Sequence, residues 1–345
     1  MIASLIYIFN GRFPTEKAHG VQIAKMCEAF AHAGVAVNLV VPHRRNKLGY
    51  DPFAYYALQR NFALQRVWAI DLIDFIPHRL ANRIQTFTSM ISFAWYLLWH
   101  QAACYYARDY SSMLLLSLLG KPFVAEFHDY RSRKPKKLIH FILKKTQKIV
   151  VNSEGTRSLL MNHYSRITEM LVAPNGVDLN FFDIPETREQ ARVTLDLPKD
   201  KIIIGYVGRF YVAGMDKGVA MLKEAFGRMK YQDKAHLLIV GGPELSVPYR
   251  EVPLYLRAID IGVLTFPSEQ HARTTSPIKY YEYLAAGKAI VRADSSGSKE
   301  LANRLDNFVE HPEQINISGE KNHLKAKNHT WDQRAETIIM ACFSS

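Results

Sequence analysis

The 345-residue chain alternates short apolar runs with longer segments of helical spacing. Residues 5–9 are apolar throughout. Positions 21–33 set Val21, Ile23, Ala24, Met26, Cys27 and Phe30 at helical intervals, Gly34 stops that segment, and residues 35–41 are apolar again. Continuous apolar runs of this length predict strands buried on both faces, and the helix between them makes a βαβ unit. The same alternation predicts strands at 103–107, 123–127 and 148–152, separated by leucine-bearing stretches of helix length. A turn signal at Pro174, Asn175 and Gly176 and a polar stretch over 183–200 open a second series. Its predicted strands are 202–207, 236–240, 259–264 and 289–293, and its predicted helices 219–229, 252–257 and 280–286. The pattern predicts two α/β halves joined near residue 180, each a parallel sheet covered on both faces. Ligands of such sheets bind beyond the carboxyl ends of the strands, here across a cleft between the two sheets.

Residues 84–107 contain no Asp, Glu, Lys or Arg and are long enough to span a bilayer. Gln85, Thr86, Thr88, Ser89, Ser92, His100 and Gln101 interrupt the stretch, which predicts a helix followed by a buried strand instead. The first residues carry no positive charge ahead of their apolar run and read as a first strand, not a secretory signal. Cys27, Cys104 and Cys342 are far apart and lack CxxC spacing, which excludes a disulfide framework and a structural zinc site and favours a reducing, cytoplasmic setting.

Charge is unevenly divided. Residues 1–150 hold 20 Lys+Arg against 8 Asp+Glu, whereas residues 151–345 hold 24 of each, so the net +12 belongs to the first half. Such asymmetry points to an anionic partner: nucleic acid, a phospholipid surface or a phosphorylated substrate. The second half is neutral and the chain has no nucleic-acid-binding motif, so nucleic acid is not expected. Arg131, Arg133, Lys134, Lys136, Lys137, Lys144, Lys145 and Lys148 cluster around Leu138, Ile139, Phe141, Ile142 and Leu143, while Tyr50, Phe53, Tyr55, Tyr56, Phe62 and Trp68 accompany Arg60 and Arg66. Both groups suit an anionic leaflet, or else an apolar face packed on the sheet.

Candidate chemistry lies after the predicted strands. Arg209 and Lys217 follow the first strand of the second half. A guanidinium fork and a compact ammonium suit a diphosphate, although two such residues are also ordinary surface charge. Ser276 as N-cap and Pro277 as first helical residue would aim free amides at a phosphate. Glu282, one and a half turns further, can accept two hydroxyl hydrogen bonds from a ribose, or is an exposed glutamate on a capped helix. His128, beside Asp129 at a strand end, reads as a base, a metal ligand or a hydrogen-bonding group. No second ligand falls at metal spacing around it, so no metal is expected.

Four segments carry a resemblance: Phe13–Gln22 (FPTEKAHGVQ), Pro174–Asp178 (PNGVD), Gly205–Phe210 (GYVGRF) with Lys217 and Gly218, and Ser276–Gly287 (SPIKYYEYLAAG). In that order, over almost the whole chain, they resemble retaining glycosyltransferase family 4, which has the GT-B fold. The resemblance implies domains at 1–178 and 179–328, with a helix over 329–345, opened near Trp331, returning to the first domain. It implies that Arg209 and Lys217 neutralise the donor diphosphate, with Gly208, Thr274, Thr275, Ser276, Pro277 and Ile278 lining the donor site and Glu282 holding the nucleotide ribose. Ala18, His19 and Gly20 match the family's glycine-rich loop, His128 the histidine that contacts the donor sugar, and Asn175 and Gly176 a turn at the domain junction. Thr274 stands where the family has its first glutamate, and Glu269, 13 residues before Glu282, is the nearest substitute. The implied activity is metal-independent, retaining transfer from a UDP- or GDP-sugar, without a cofactor, to a glycan or lipid-linked acceptor in cell-surface polysaccharide or glycolipid synthesis. The enzyme is expected in the cytoplasm or on the cytoplasmic face of the membrane. A GT-B nucleotide-sugar epimerase and an inactive GT-B binding protein are the alternatives.

Overall fold

A computed structural model describes residues 4–46, 48–128, 136–164, 169–212, 215–242, 245, 247–266, 268–293 and 297–343. Asp129, Arg131, Arg133 and Lys134 lie outside the described residues. The chain divides into two compact units, Met1–Pro174 with Trp331–Ser345, and Asn175–Thr330.

The first unit begins β1 (Ser4–Ile8), α1 (Ala18–His32), β2 (Ala36–Pro42), α2 (Pro52–Tyr56), β3 (Ala63–Val67), α3 (His78–Trp99) and β4 (Cys104–Ala107). It continues α4 (Tyr110–Leu118), β5 (Phe123–Phe127), α5 (Lys136–Lys145), β6 (Lys148–Val151), α6 (Glu154–His163) and β7 (Leu171–Val172). Every strand pairs in parallel, in the order β3-β2-β1-β4-β5-β6-β7. The strand order reverses between β1 and β4, which makes their carboxyl ends the favoured place for a ligand. Residues 84–107, the membrane candidate, form most of α3 and then β4, and among the described residues no helix is long and apolar enough to cross a membrane.

The second unit contains α7 (Leu179–Phe182), α8 (Arg188–Thr194), β8 (Ile202–Val207), β9 (Tyr211–Val212), β10 (Met215–Asp216), α9 (Val219–Gly227) and β11 (Ala235–Val240). Then come α10 (Val252–Ala258), β12 (Ile261–Thr265), α11 (Glu269–Arg273), α12 (Ile278–Ala285), β13 (Ala289–Ala293), α13 (Gly297–Glu310) and α14 (Glu313–Ala326). Four strands form a parallel sheet in the order β11-β8-β12-β13, with its reversal between β8 and β12, and β9 and β10 form a small antiparallel pair. One face of the sheet packs Ile204, Val263 and Val291 against Leu222 of α9 and Leu301 of α13; the other packs Val207 and Val240 against Leu256 of α10 and Leu284 of α12. Burying each such side chain stabilises by about 1.5–3 kcal/mol. This two-sided burial makes the strands read as mainly apolar runs.

The last helix, α15 (Trp331–Phe343), belongs to the first unit and packs on α1, with Trp331 and Ile338 buried. Phe53, Tyr55, Tyr56 and Phe62, offered by the sequence to a lipid leaflet, are instead buried, with Phe53 and Phe62 5.0 Å apart and Phe13 and Tyr56 5.4 Å apart between ring centroids. Removing aromatic area from water in the unit's own interior is the stronger driving force. On α5, Ile139, Ile142 and Leu143 join the core, while Lys136, Lys137, Lys144 and Lys145 face water.

Candidate active site

In the second unit, β8 delivers the chain to Gly208, whose φ of 154° lies in the region that favours glycine. A Cβ there would stand 2.5 Å from Lys279 Nζ. That ammonium lies 3.6 Å from the centroid of the Tyr206 ring, a cation–π contact, and the Tyr206 hydroxyl donates to the Arg209 carbonyl at 2.9 Å. Arg209 is half-buried. Lys217 precedes α9; its carbonyl accepts from the Thr265 hydroxyl at the end of β12, and its Nζ donates to His271 Nε2 at 3.0 Å. Accepting at Nε2 leaves the His271 proton on Nδ1.

These groups are electrostatically strained. Burial lowers Lys217, and it lowers Lys279 to about 7, opposed by Glu282 and reinforced by Lys217. Glu282, one turn along α12 from Lys279, is 7% exposed; burial raises it to about 7, opposed by a hydrogen bond from Tyr249 and by Lys279. Two half-buried ammonium groups that repel each other would be stabilised by an anion close to both.

Ser276 departs from its expected role. Pro277 occupies the N-cap of α12, the helix begins at Ile278, and no side chain caps it. The Ser276 hydroxyl instead accepts from the Asn175 amide at 2.9 Å and contacts the Tyr281 hydroxyl at 3.1 Å, while Asn175 Nδ2 donates to the Ser276 carbonyl at 2.5 Å. Asn175 thus ties the start of the second unit to the start of α12. Thr274 ends α11 and its hydroxyl donates to the Gln270 carbonyl at 2.8 Å; Thr275 is half-buried beyond it. Glu269 is exposed and paired with Arg273 on the same helix, so it does not face inward as a replacement carboxylate.

A different set assembles in the first unit. Ala18, His19 and Gly20 form the first turn of α1, exposed, half-buried and buried respectively. A Cβ on Gly20 would run into the Tyr56 hydroxyl, which both accepts from the Thr15 amide and donates to the Thr15 carbonyl at 2.7 Å. His128, just past β5, is bonded through Nε2 to Glu126 at 2.6 Å. Glu126 is fully buried and also accepts from Tyr106 at 2.7 Å, Gln22 of α1 at 3.1 Å and the Arg334 guanidinium of α15. Burial and Arg108, opposed by Glu126, lower His128 to about 4, so the ring is neutral near pH 7. With the proton of Nε2 given to Glu126, Nδ1 carries the lone pair.

The sequence reading assigned no role to Lys279, His271, Tyr249, Glu126 or Arg334. For Lys279 a signal was available, since it lies three residues before Glu282 and so on the same helix face. The titration of Glu282 gives a test of the site's electrostatics. Its folded value lies above the ordinary 4.5, so its stabilisation is complete below about pH 4.5 and is lost as pH rises through about 7. Across that window the wild type is expected to lose on the order of 3 kcal/mol that Glu282→Gln does not lose. Chemical denaturation at about pH 5 and about pH 8 measures this, and equal slopes in the two proteins would refute it.

Among known families, the model described as Glycosyltransferase Family 4 matches residues 19–181, and the one described as Glycosyl transferases group 1 matches residues 201–316. A search of curated proteins finds no match. Among solved structures, sucrose-phosphate synthase from Thermosynechococcus elongatus is similar at 16% identity, over 98% of both chains, with a TM-score of 0.78. WaaG, a glycosyltransferase involved in lipopolysaccharide biosynthesis, is similar at 13% identity over 99% of this chain and 100% of its own, with a TM-score of 0.72. Anabaena Alr3699/HepE, solved in complex with UDP-glucose, is similar at 14% identity over 99% and 100%, with a TM-score of 0.70. At these identities the likeness is one of fold.

Proposed function

Because the chain belongs to glycosyltransferase family 4 and has the GT-B fold, we propose that it transfers a sugar, with retention and without a metal, from a nucleotide diphosphate sugar to a glycan or lipid-linked acceptor. The observation that carries the reading is that Lys279 Nζ lies at the turn of Gly208, with Glu282 on the same helix, while Lys217, whose amide donates to the Phe210 carbonyl just past that turn, is near enough to repel Lys279. The binding of UDP-glucose by the similar HepE supports a nucleotide-sugar donor.

In the proposed reaction the bond between the sugar's anomeric carbon and the diphosphate oxygen breaks, and its electron pair leaves on that oxygen. Arg209, Lys217 and Lys279 stabilise the growing negative charge, which is why side-chain cations suffice. The uncapped amides of Ile278 and Lys279 at the start of α12 add their partial positive charge. Glu282, ionised beside Lys279, accepts from the two ribose hydroxyls. The acceptor hydroxyl attacks from the face the diphosphate leaves and passes its proton to a diphosphate oxygen, which gives retention. Neutral His128, in a tautomer set by Glu126, carries the lone pair on Nδ1, where it can accept from a hydroxyl. Thr274 in place of a carboxylate weakens the grip on the sugar hydroxyls and leaves catalysis to the groups around the diphosphate.

Thermal denaturation with UDP, GDP and their sugars tests the donor site. One nucleotide diphosphate is expected to stabilise the wild type by about 2.7 kcal/mol at a hundredfold excess over its Kd. Glu282→Ala and Arg209→Ala are expected to blunt the rise. An undiminished response in both variants rejects the site. Product analysis with donor alone then separates transfer from epimerisation.

A further inference from the structure

We propose that the outer face of α3 docks on an anionic phospholipid bilayer, with the helix lying flat in the headgroup region. Phe87, Ile91, Trp95 and Trp99 follow one another at intervals of four residues, and with Leu98 they are between 54% and 71% exposed. The row is about 18 Å long. Trp95 and Trp99 meet edge to face with centroids 6.0 Å apart, so the aromatic surface is continuous. The opposite side of the same helix buries Ala81, Gln85, Ser89, Phe93 and Leu97 against its own unit. A large apolar row left in water on an otherwise packed helix marks an interaction surface.

The charge around the row selects the occupant. Arg79 and Arg83, both exposed, precede Phe87 on α3, which contains no Asp or Glu. At the other end, Lys121 donates to Gln101 at 2.7 Å and so fixes the connection after α4, whose last residue Leu118 is 63% exposed, beside the connection after α3. The parallel register of β4, β5 and β6 sets the ends of α3, α4 and α5 along one sheet edge, and α5 contributes exposed Lys144 and Lys145 there. A second copy seated on this face would bring no carboxylate of α3 to pair with Arg79 and Arg83. Anionic headgroups neutralise the same cations, and indole rings are the side chains best suited to the boundary between headgroups and acyl chains. The helix is not apolar enough to span, so it lies on the bilayer. The surface brings the enzyme to a lipid-linked acceptor, a purpose that rests on the glycosyl-transfer reading above, whereas vesicle binding is read separately from donor binding.

The test is sedimentation of the full chain with vesicles of phosphatidylcholine alone or of phosphatidylcholine with phosphatidylglycerol. The wild type is expected to bind the anionic vesicles, less as salt is raised, and to ignore the neutral ones. The double substitutions Trp95→Ser with Trp99→Ser, and Arg79→Glu with Arg83→Glu, are each expected to lower the partition coefficient by at least about tenfold. An unchanged nucleotide-dependent thermal shift in both shows that the fold and donor site survive. Vesicle binding in a protein that responds to no nucleotide would leave the docking surface standing and remove the donor reading. Failure of the wild type to sediment, or equal sedimentation of both variants, overturns the proposal. So does a dimer, seen by sedimentation velocity, that the two serine substitutions dissolve without any vesicle binding.

Discussion

Arg334→Ala is expected to destabilise the first unit by about 3–5 kcal/mol, because it leaves a buried carboxylate without its cation. Arg334 is 5% exposed, and its guanidinium contacts Glu126 while also donating to the carbonyls of Ala173 and Pro174 at 3.1 and 2.9 Å. Burial alone would raise Glu126; Arg334 and then His128 more than reverse it, and the carboxyl is held well below its ordinary range. A lowered carboxyl stabilises the fold at neutral pH and loses that stabilisation as the solution becomes acid. Without Arg334 the sign changes, since a carboxyl raised by burial makes the fold less stable as pH increases. Urea denaturation of wild type and variant across acid and neutral pH reads both effects. A loss below about 1 kcal/mol would mean that Glu126 is neutralised by other groups. The double variant Arg334→Met with Glu126→Gln, which removes both charges, is expected to recover most of the loss.

Lys217→Ala is expected to lower kcat by about 10²–10³ at saturating donor, with a melting temperature close to the wild type. The side chain is partly buried, and burial lowers its affinity for a proton, so an anion in its field is stabilised more strongly than at an exposed lysine. Its place does not depend on the ammonium: the Thr265 hydroxyl holds the Lys217 carbonyl, and Gly218 starts α9 behind it. The loss should therefore fall on the charge that develops at the leaving diphosphate. Removing Lys217 also relieves the repulsion it exerts on Lys279. Initial rates with a soluble acceptor measure the effect, and a fall of less than about threefold would take Lys217 out of the catalytic set.

Strands were the most legible part of the fold. The predicted runs 123–127, 202–207 and 289–293 coincide with β5, β8 and β13, because a parallel strand covered on both faces is built mainly from apolar residues. At the sheet's edge β3 escaped, since its sequence ALQRV is mostly exposed and carries no such run. The polar stretch 183–200 hid α8, although the capping box of Thr187 and Gln190 marks its start. For Ser276, local preference pointed to a helix cap and a partner 101 residues away decided otherwise. The bond between Glu126 and Arg334 joins positions 208 apart, and no periodicity or spacing rule connects them. Residue types and turns near strand ends thus located the chemistry, while the partners that set its charge states came from distant segments.

The return of α15 to the first unit has a consequence for biosynthesis. Residues Asn175–Thr330 form a unit of their own, emitted whole before Trp331 leaves the ribosome. Until the final helix follows, Glu126 has no Arg334 beside it, and the carbonyls of Ala173 and Pro174 lack their donor. The half of the molecule that is translated first is consequently the last to mature, and a nascent chain stalled short of its final helix carries a finished second unit beside an unfinished first one.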